Sequence, residues 1–222
     1  MMFKLNLFTL VFVALFISCT SINTNSQTLD NQGNDDKYKG MNSNNKKEIA
    51  VFGAGCFWCV EAVFEELKGV HSVESGYTGG TVKNPSYNEI CTGETGHAEV
   101  AKITYDPDII CYEVLLSVFF KTHDPTTLNS QGADRGTQYR SAIFYTTDTQ
   151  KKIAQRIINE LNVEKVYPNP IVTEVTQLGK YYQAEDYHQN YYKNNPNQGY
   201  CTYVIQPKME KFRKVFKENL KK

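Results

Sequence analysis

The chain has 222 residues, with 24 basic and 24 acidic side chains and 41% hydrophobic residues. That balance excludes nucleic acid as a partner, because nothing supplies a net attraction to phosphate. About 175 residues from Glu48 onward are the usual size of one domain, no internal repeat is visible, and a monomer is expected.

At the N-terminus, Lys4 precedes an apolar run from Leu5 to Ile17, and "FISC" closes it at Cys19. The run is too short for a stable bilayer anchor and has the layout of an export signal. Ser18 before Cys19 resembles a bacterial lipobox, although Phe16 stands where Leu is usual. An ordinary cleaved signal is the alternative. The apolar run stops at this cysteine and no A-x-A site competes, which favours lipidation of Cys19. Residues 1–19 are therefore read as a lipoprotein-type signal, and the protein as exported and membrane-anchored on the extracytoplasmic or periplasmic side. Residues 20–47 are polar, with Ile22, Leu29, Tyr38 and Met41 as their only large apolar side chains. They cannot bury enough surface to offset ordering entropy, and predict a disordered tether. The domain proper is 48–222.

"KEIAVFG" predicts a buried strand ending at Gly53. Phe57, Val60, Val63, Phe64 and Leu67 keep helical spacing up to Lys68, and Gly69 stops the helix. "VHSVESGY" follows as a strand. "HAEVAKITYDP" is another, with His97, Glu99, Ala101 and Ile103 on one face. A second helix starts near Cys111, and a polar loop from Asp124 to Tyr139 leads into "SAIFYT". This order is the ferredoxin-like split βαβ arrangement of an α+β fold. An additional helix (148–161), a strand (171–176) and a Tyr-rich segment follow. A C-terminal helix (207–222) should turn Met209, Phe212, Val215 and Phe216 inward.

Cys56 lies just before the first helical turn, where unpaired backbone amides and the helix dipole favour a thiolate. The glycines at 53 and 55 permit a tight turn beside it. A packing cysteine fits poorly there. Structural zinc needs a second ligand pair, whereas Cys91, Cys111 and Cys201 are isolated, as are His71, His97, His123 and His188. No metal is expected. A thioredoxin-like Cys56–Cys59 redox pair remains open. Glu99 is the other unusual residue, a carboxylate mid-strand on an apolar face. Burial would keep it protonated, as a general acid requires; the alternative is a paired, structural carboxylate.

"GCFWC", "GYTGG", "NPSY", "TGHAEV", "HDPTTLNSQGADRGTQYRSAIFY", "AEDYHQNYY" and "GYC" occur in this order. Over Ile49 to Pro207 the chain resembles the A-type peptide methionine sulfoxide reductases, enzymes that repair one epimer of oxidised methionine. The resemblance implies that Cys56 attacks the sulfoxide sulfur and that Glu99 protonates its oxygen. It implies that Tyr87 and Tyr139 hydrogen-bond that oxygen. Phe57 and Trp58 would wall in the substrate methyl group, and Asp134 would support the site. The product is methionine and a sulfenic acid on Cys56, which a second thiol converts to a disulfide. Cys201, in the family's C-terminal "GYC" setting, is expected to resolve it by swinging in on a loose segment. Cys59 is the alternative, its side chain expected to point into the core with Val60 and Val63. A thioredoxin-like protein or a dithiol would then reduce the disulfide, with no organic cofactor. Cys91 and Cys111 receive no role.

Overall fold

A computed structural model describes residues 47–222, so the signal segment, Cys19 and the tether up to residue 46 lie outside the described residues. In chain order the first elements are β1 (Glu48–Ala54), α1 (Phe57–Glu65), β2 (Val70–Thr78), α2 (Tyr87–Cys91), β3 (Ala98–Tyr105) and α3 (Tyr112–Thr122). There follow β4 (Ser130–Gln131), β5 (Asp134–Arg135), β6 (Ser141–Tyr145), α4 (Asp148–Val163) and β7 (Glu174–Gln177). The chain then forms β8 (Tyr182–Gln183), α5 (Tyr191–Asn194) and α6 (Gln206–Val215).

β1 is buried from Ala50 onward, as an unbroken apolar run demands of a central strand. It pairs antiparallel with β3 on one side and β6 on the other, and β3 pairs antiparallel with β2. The order β6-β1-β3-β2 is the expected ferredoxin-like core. β7 extends it in parallel beyond β6, and β8 extends it antiparallel beyond β2. The helices α1, α3 and α4 cover one face. There Phe52 of β1 meets the rings of Phe64 and Phe119 at centroid separations of 5.6 and 5.0 Å. Each fully buried ring of this size stabilises by roughly 1.5–3 kcal/mol. On the opposite face Val51, Ala98, Val100, Ala142 and Phe144 are covered by Leu178 and Tyr181 of the C-terminal segment.

Three expectations are corrected. α1 ends at Glu65 rather than Lys68, because the backbone of 66–68 is taken by the C-terminus: Lys68 N donates to Asn219 O, and Lys221 N to Glu66 O. The C-terminal helix starts at Gln206 as the continuation of a π-helical turn, Cys201–Ile205, and ends at Val215. Val215 faces solvent, 57% exposed, while Met209, Phe212 and Phe216 are buried as expected. The polar loop is also more ordered than anticipated, holding the β4–β5 hairpin and a 3-10 turn at Thr137–Tyr139.

Candidate active site

The turn between β1 and α1 sets the reactive end of the sheet. Gly55 has φ +85°, and a Cβ there would lie 2.6 Å from that of Gln131, so only glycine fits. Gly53 is not part of the turn. It is paired with Ala142 in the sheet.

Cys56 is the N-cap of α1 and Cys59 its third helical residue. That spacing brings an N-cap side chain and an N3 side chain together, as in a capping box. Both thiols are buried, and a hydrogen bond joins them. Cys59 thus lies in the core with Val60 and Val63, as expected, and its thiol also meets Cys56. Burial pushes the Cys56 thiol well above its ordinary value, assisted by the bond to Cys59 and by charge on Cys59 and Glu99; the Trp58 amide opposes this. The thiolate expected at Cys56 from its helix-start position is thus overridden by desolvation. Cys59 is lowered to about 7, first by the bond to Cys56, then by Lys208 and the Tyr200 hydroxyl. The resting pair holds a proton on Cys56 and ionises at Cys59.

Glu99 occupies the inward face of β3, opposite Tyr77 of β2 in register, and is 1% exposed. Its Oε2 accepts the Phe57 amide at 3.1 Å, so the first amide of α1 fixes the carboxyl beside Cys56. Burial raises it to about 8, and repulsion from Asp134 and Cys59 adds to this against the Phe57 amide. At neutral pH it is a carboxylic acid.

Tyr87 opens α2, whose start is fixed by a capping box between Ser86 and Glu89. Tyr139 ends the 3-10 turn. Both phenols are half-buried and raised by burial and then by Glu99, so they remain protonated donors. The Phe57 ring is 1% exposed, packed against His188 at 4.9 Å and Tyr77 at 5.8 Å. Trp58 is only half-buried, stacks on Tyr191 at 3.6 Å and 6°, and donates its indole N–H to His188 Nδ1 at 3.1 Å. Asp134 Oδ2 accepts the Tyr200 hydroxyl at 2.7 Å, and Tyr200 Oη lies 4.0 Å from Cys59 Sγ. Cys56, Cys59, Asp134, Tyr200 and Lys208 share the lining of a cavity of about 130 Å³.

Cys201 is fully buried at the start of the π-helical turn, and burial raises its thiol, as does the nearby Cys59 charge. The loose, swinging segment expected there is not found; the turn is packed on α1 and continuous with α6. Cys91 is exposed at the end of α2, within hydrogen-bonding influence of Tyr87. Among the described residues no three His, Cys, Asp or Glu side chains gather as a metal-ligand set.

Several residues that sequence reasoning passed over belong to this site. Glu185 accepts the Tyr87 amide at 2.8 Å and the Tyr77 hydroxyl at 2.9 Å. His188, set aside as an isolated imidazole, lies between Trp58, Phe57 and Tyr87. The signal was the segment "AEDYHQNYY", conspicuous as a motif but with no residue in it assigned a task.

Two thiols sharing a proton beside a neutral carboxylic acid are the equipment of a thiol-dependent oxidoreductase on an α+β scaffold. A sequence model of the family described as peptide methionine sulfoxide reductase matches residues 48–220, and the chain belongs to that family. A peptide methionine sulfoxide reductase MsrA of Deinococcus radiodurans is 55% identical over 175 residues, covering 79% of this chain and 85% of the relative. That of a Nitratiruptor species is 56% identical, covering 78% and 98%. Among solved structures, methionine sulfoxide reductase A of Corynebacterium diphtheriae aligns with TM-score 0.67 at 38% identity, over 71% of this chain and 78% of that one. Reduced Mxr1 from Saccharomyces cerevisiae aligns with TM-score 0.65 at 34% identity, over 72% and 91%.

Proposed function

We propose that this chain reduces the S-sulfoxide of methionine, free and in proteins, to methionine, with Cys56 as nucleophile and Glu99 as acid. The observation that carries the reading is a carboxyl held protonated up to about pH 8 and bonded to the amide that follows the nucleophile. As the Cys56 sulfur attacks the sulfoxide sulfur, Glu99 gives its proton to the oxygen and the Cys56 proton replaces it. The hydroxyl then passes to the Cys56 sulfur: a Cys56 S–O bond forms as the substrate S–O bond and the transient S–S bond break. Methionine leaves, and Cys56 is a sulfenic acid. Tyr87 and Tyr139 donate to the oxygen as charge develops on it. Trp58 is the apolar wall for the methyl group, with the Phe57 ring supporting it from behind. Asp134 fixes Tyr200 over the two thiols.

The sulfenic acid condenses with a thiol, releasing water. Cys59, hydrogen-bonded to Cys56 and lowered to about 7, is favoured for that first attack. Cys201 then attacks Cys59, which releases Cys56 and transfers the disulfide toward the C-terminal turn. A thioredoxin-like protein or small dithiol is the external reductant, and no organic cofactor or metal enters the scheme. Export and lipidation at Cys19, supported by the apolar run that ends there, would make the reductant an extracytoplasmic one. Labelled palmitate should incorporate into wild type and not into Cys19→Ala.

The decisive assay offers separated S and R epimers to residues 48–222 with dithiothreitol. Turnover of the S epimer alone is expected; equal turnover of both, or of neither, contradicts the reading. The Cys56–Cys59 hydrogen bond also favours a second reading, general disulfide exchange. Under that reading Glu99→Gln would leave activity intact.

A further inference from the structure

Glu61 is a carboxylate that the proposed chemistry does not use, yet it is 1% exposed. It lies on α1, three residues after Trp58, and residues so spaced share a helix face. Its Oε2 accepts the Tyr191 amide at 3.3 Å, while Oε1 makes no full hydrogen bond and has only the weaker influence of the nearby Ser75 hydroxyl. Tyr191 follows Asn190, whose φ of +54° marks a left-handed residue, and the Asn190 amide also acts on Glu61. Gln189 anchors the other side of this turn, accepting from Ser75 N at 3.0 Å and donating to Ala184 O at 2.9 Å. Glu61 thus binds the amides of a strained turn whose next ring lies flat on Trp58.

A buried, incompletely bonded carboxylate costs several kcal/mol, and a leucine of similar volume would remove that cost. What leucine lacks is an acceptor for the amides at 190 and 191. Glu65, Glu66, Lys193 and Arg213 share a cavity of about 320 Å³ with Glu61. Burial, then Glu65, raises Glu61 to about 7, so it exchanges its proton near neutrality without losing an acceptor oxygen.

We propose that Glu61 is a positioning residue for the substrate wall: it holds the Asn190–Tyr191 turn on α1 so that Tyr191 stacks on Trp58 and keeps the indole aimed at His188. The inference rests on Trp58 being that wall. Its effect should appear in substrate affinity rather than in the Cys56–Glu99 step.

Trp58 is the only tryptophan in the chain, so intrinsic emission reports this stack directly. Glu61→Leu should shift the emission to the red and raise KM for the S-sulfoxide about fivefold, the worth of roughly one hydrogen bond, with the saturating single-turnover rate within about twofold. Glu61→Gln, which keeps an acceptor, should restore both. In a Tyr191→Ala background Glu61→Leu should add little to KM, because one link acts through the other. Should Glu61→Leu fail to fold, Glu61→Met carries the same comparison. Unchanged emission and KM would overturn the inference. So would a red shift with unchanged KM, the ring then being held for no substrate. Neither result touches the assignment as a reductase, whose failure would show instead as wild type inactive on the S epimer.

Discussion

Cys56 and Glu99 are carried by regular structure, a helix start and the inward face of a central strand. Glu185, His188, Tyr191 and Tyr200 reach the same site from residues 181–205, which hold one two-residue strand and three short helical turns. The first region is rigid because its backbone is spent on sheet and helix bonds. The second is held by single side chains gripping backbone: Gln189 on Ser75, Glu185 on Tyr87, Glu61 on Tyr191. The difference teaches a division of labour. In the proposed chemistry the atoms that change bonds stand on the sheet and α1, and the groups proposed to aim them stand on a strap held by one short strand pairing and by side-chain hydrogen bonds. Losses in the first region should be nearly total, and those in the second graded.

The largest effect is expected for Cys56→Ser. An alcohol at this buried position is no substitute for a thiol, so methionine formation with excess dithiothreitol should vanish while circular dichroism is unchanged. Glu99→Gln comes next, with a single-turnover rate lower by about a hundredfold or more. The same variant should be more stable. The buried carboxyl binds its proton more tightly folded than unfolded, so wild-type stability falls as pH rises from the ordinary 4.5 to about 8. The amide escapes this, a difference of about 3 kcal/mol at pH 7, and denaturant melts at pH 5 and pH 8 should show the gap widening.

On the strap, Glu185→Gln keeps one acceptor for Tyr87 or Tyr77 but loses charge-assisted bonding to both. A rate loss of about tenfold is expected, with the Glu99 pH limb unmoved. Tyr200→Phe removes the Asp134 bond and the hydroxyl near Cys59. The Cys59 thiol should titrate higher, seen in alkylation rate against pH, and disulfide formation should slow by about threefold with methionine release unaltered. Peptide mapping after one turnover without reductant should find Cys56–Cys59 bonded in Cys201→Ser. A Cys56–Cys201 bond with normal thioredoxin turnover in Cys59→Ser would reverse that order.

The same division decided what could be read in the sequence. The core was legible because Val60, Val63 and Phe64 repeat at helical spacing and Glu99 interrupts an alternating strand. Cys56 was legible from its place before the helix. Its protonation was not, since desolvation depends on how much protein closes over the thiol. Cys59 was read only in part: the apolar period rightly grouped it with Val60 and Val63, but the N-cap to N3 relation that also joins its thiol to Cys56 was passed over. The Phe57 ring was assigned to the substrate, and nothing in the sequence signalled that its backbone amide also holds the Glu99 carboxyl. The strap left almost no periodic signal, because Glu185 and Gln189 are stabilised by partners about 100 residues away. Its aromatic density marked it as functional without saying which ring did what.

The central claim is that a neutral Glu99 drives sulfoxide reduction at Cys56. The direct measurement is the single-turnover rate of methionine formation from the S-sulfoxide against pH, in wild type and in Glu99→Gln. Wild type should hold its rate at neutral pH and fall tenfold per pH unit above about 8, while the variant is slow and lacks that limb. A wild-type rate that climbs through pH 8, or the same falling limb in both proteins, would contradict it.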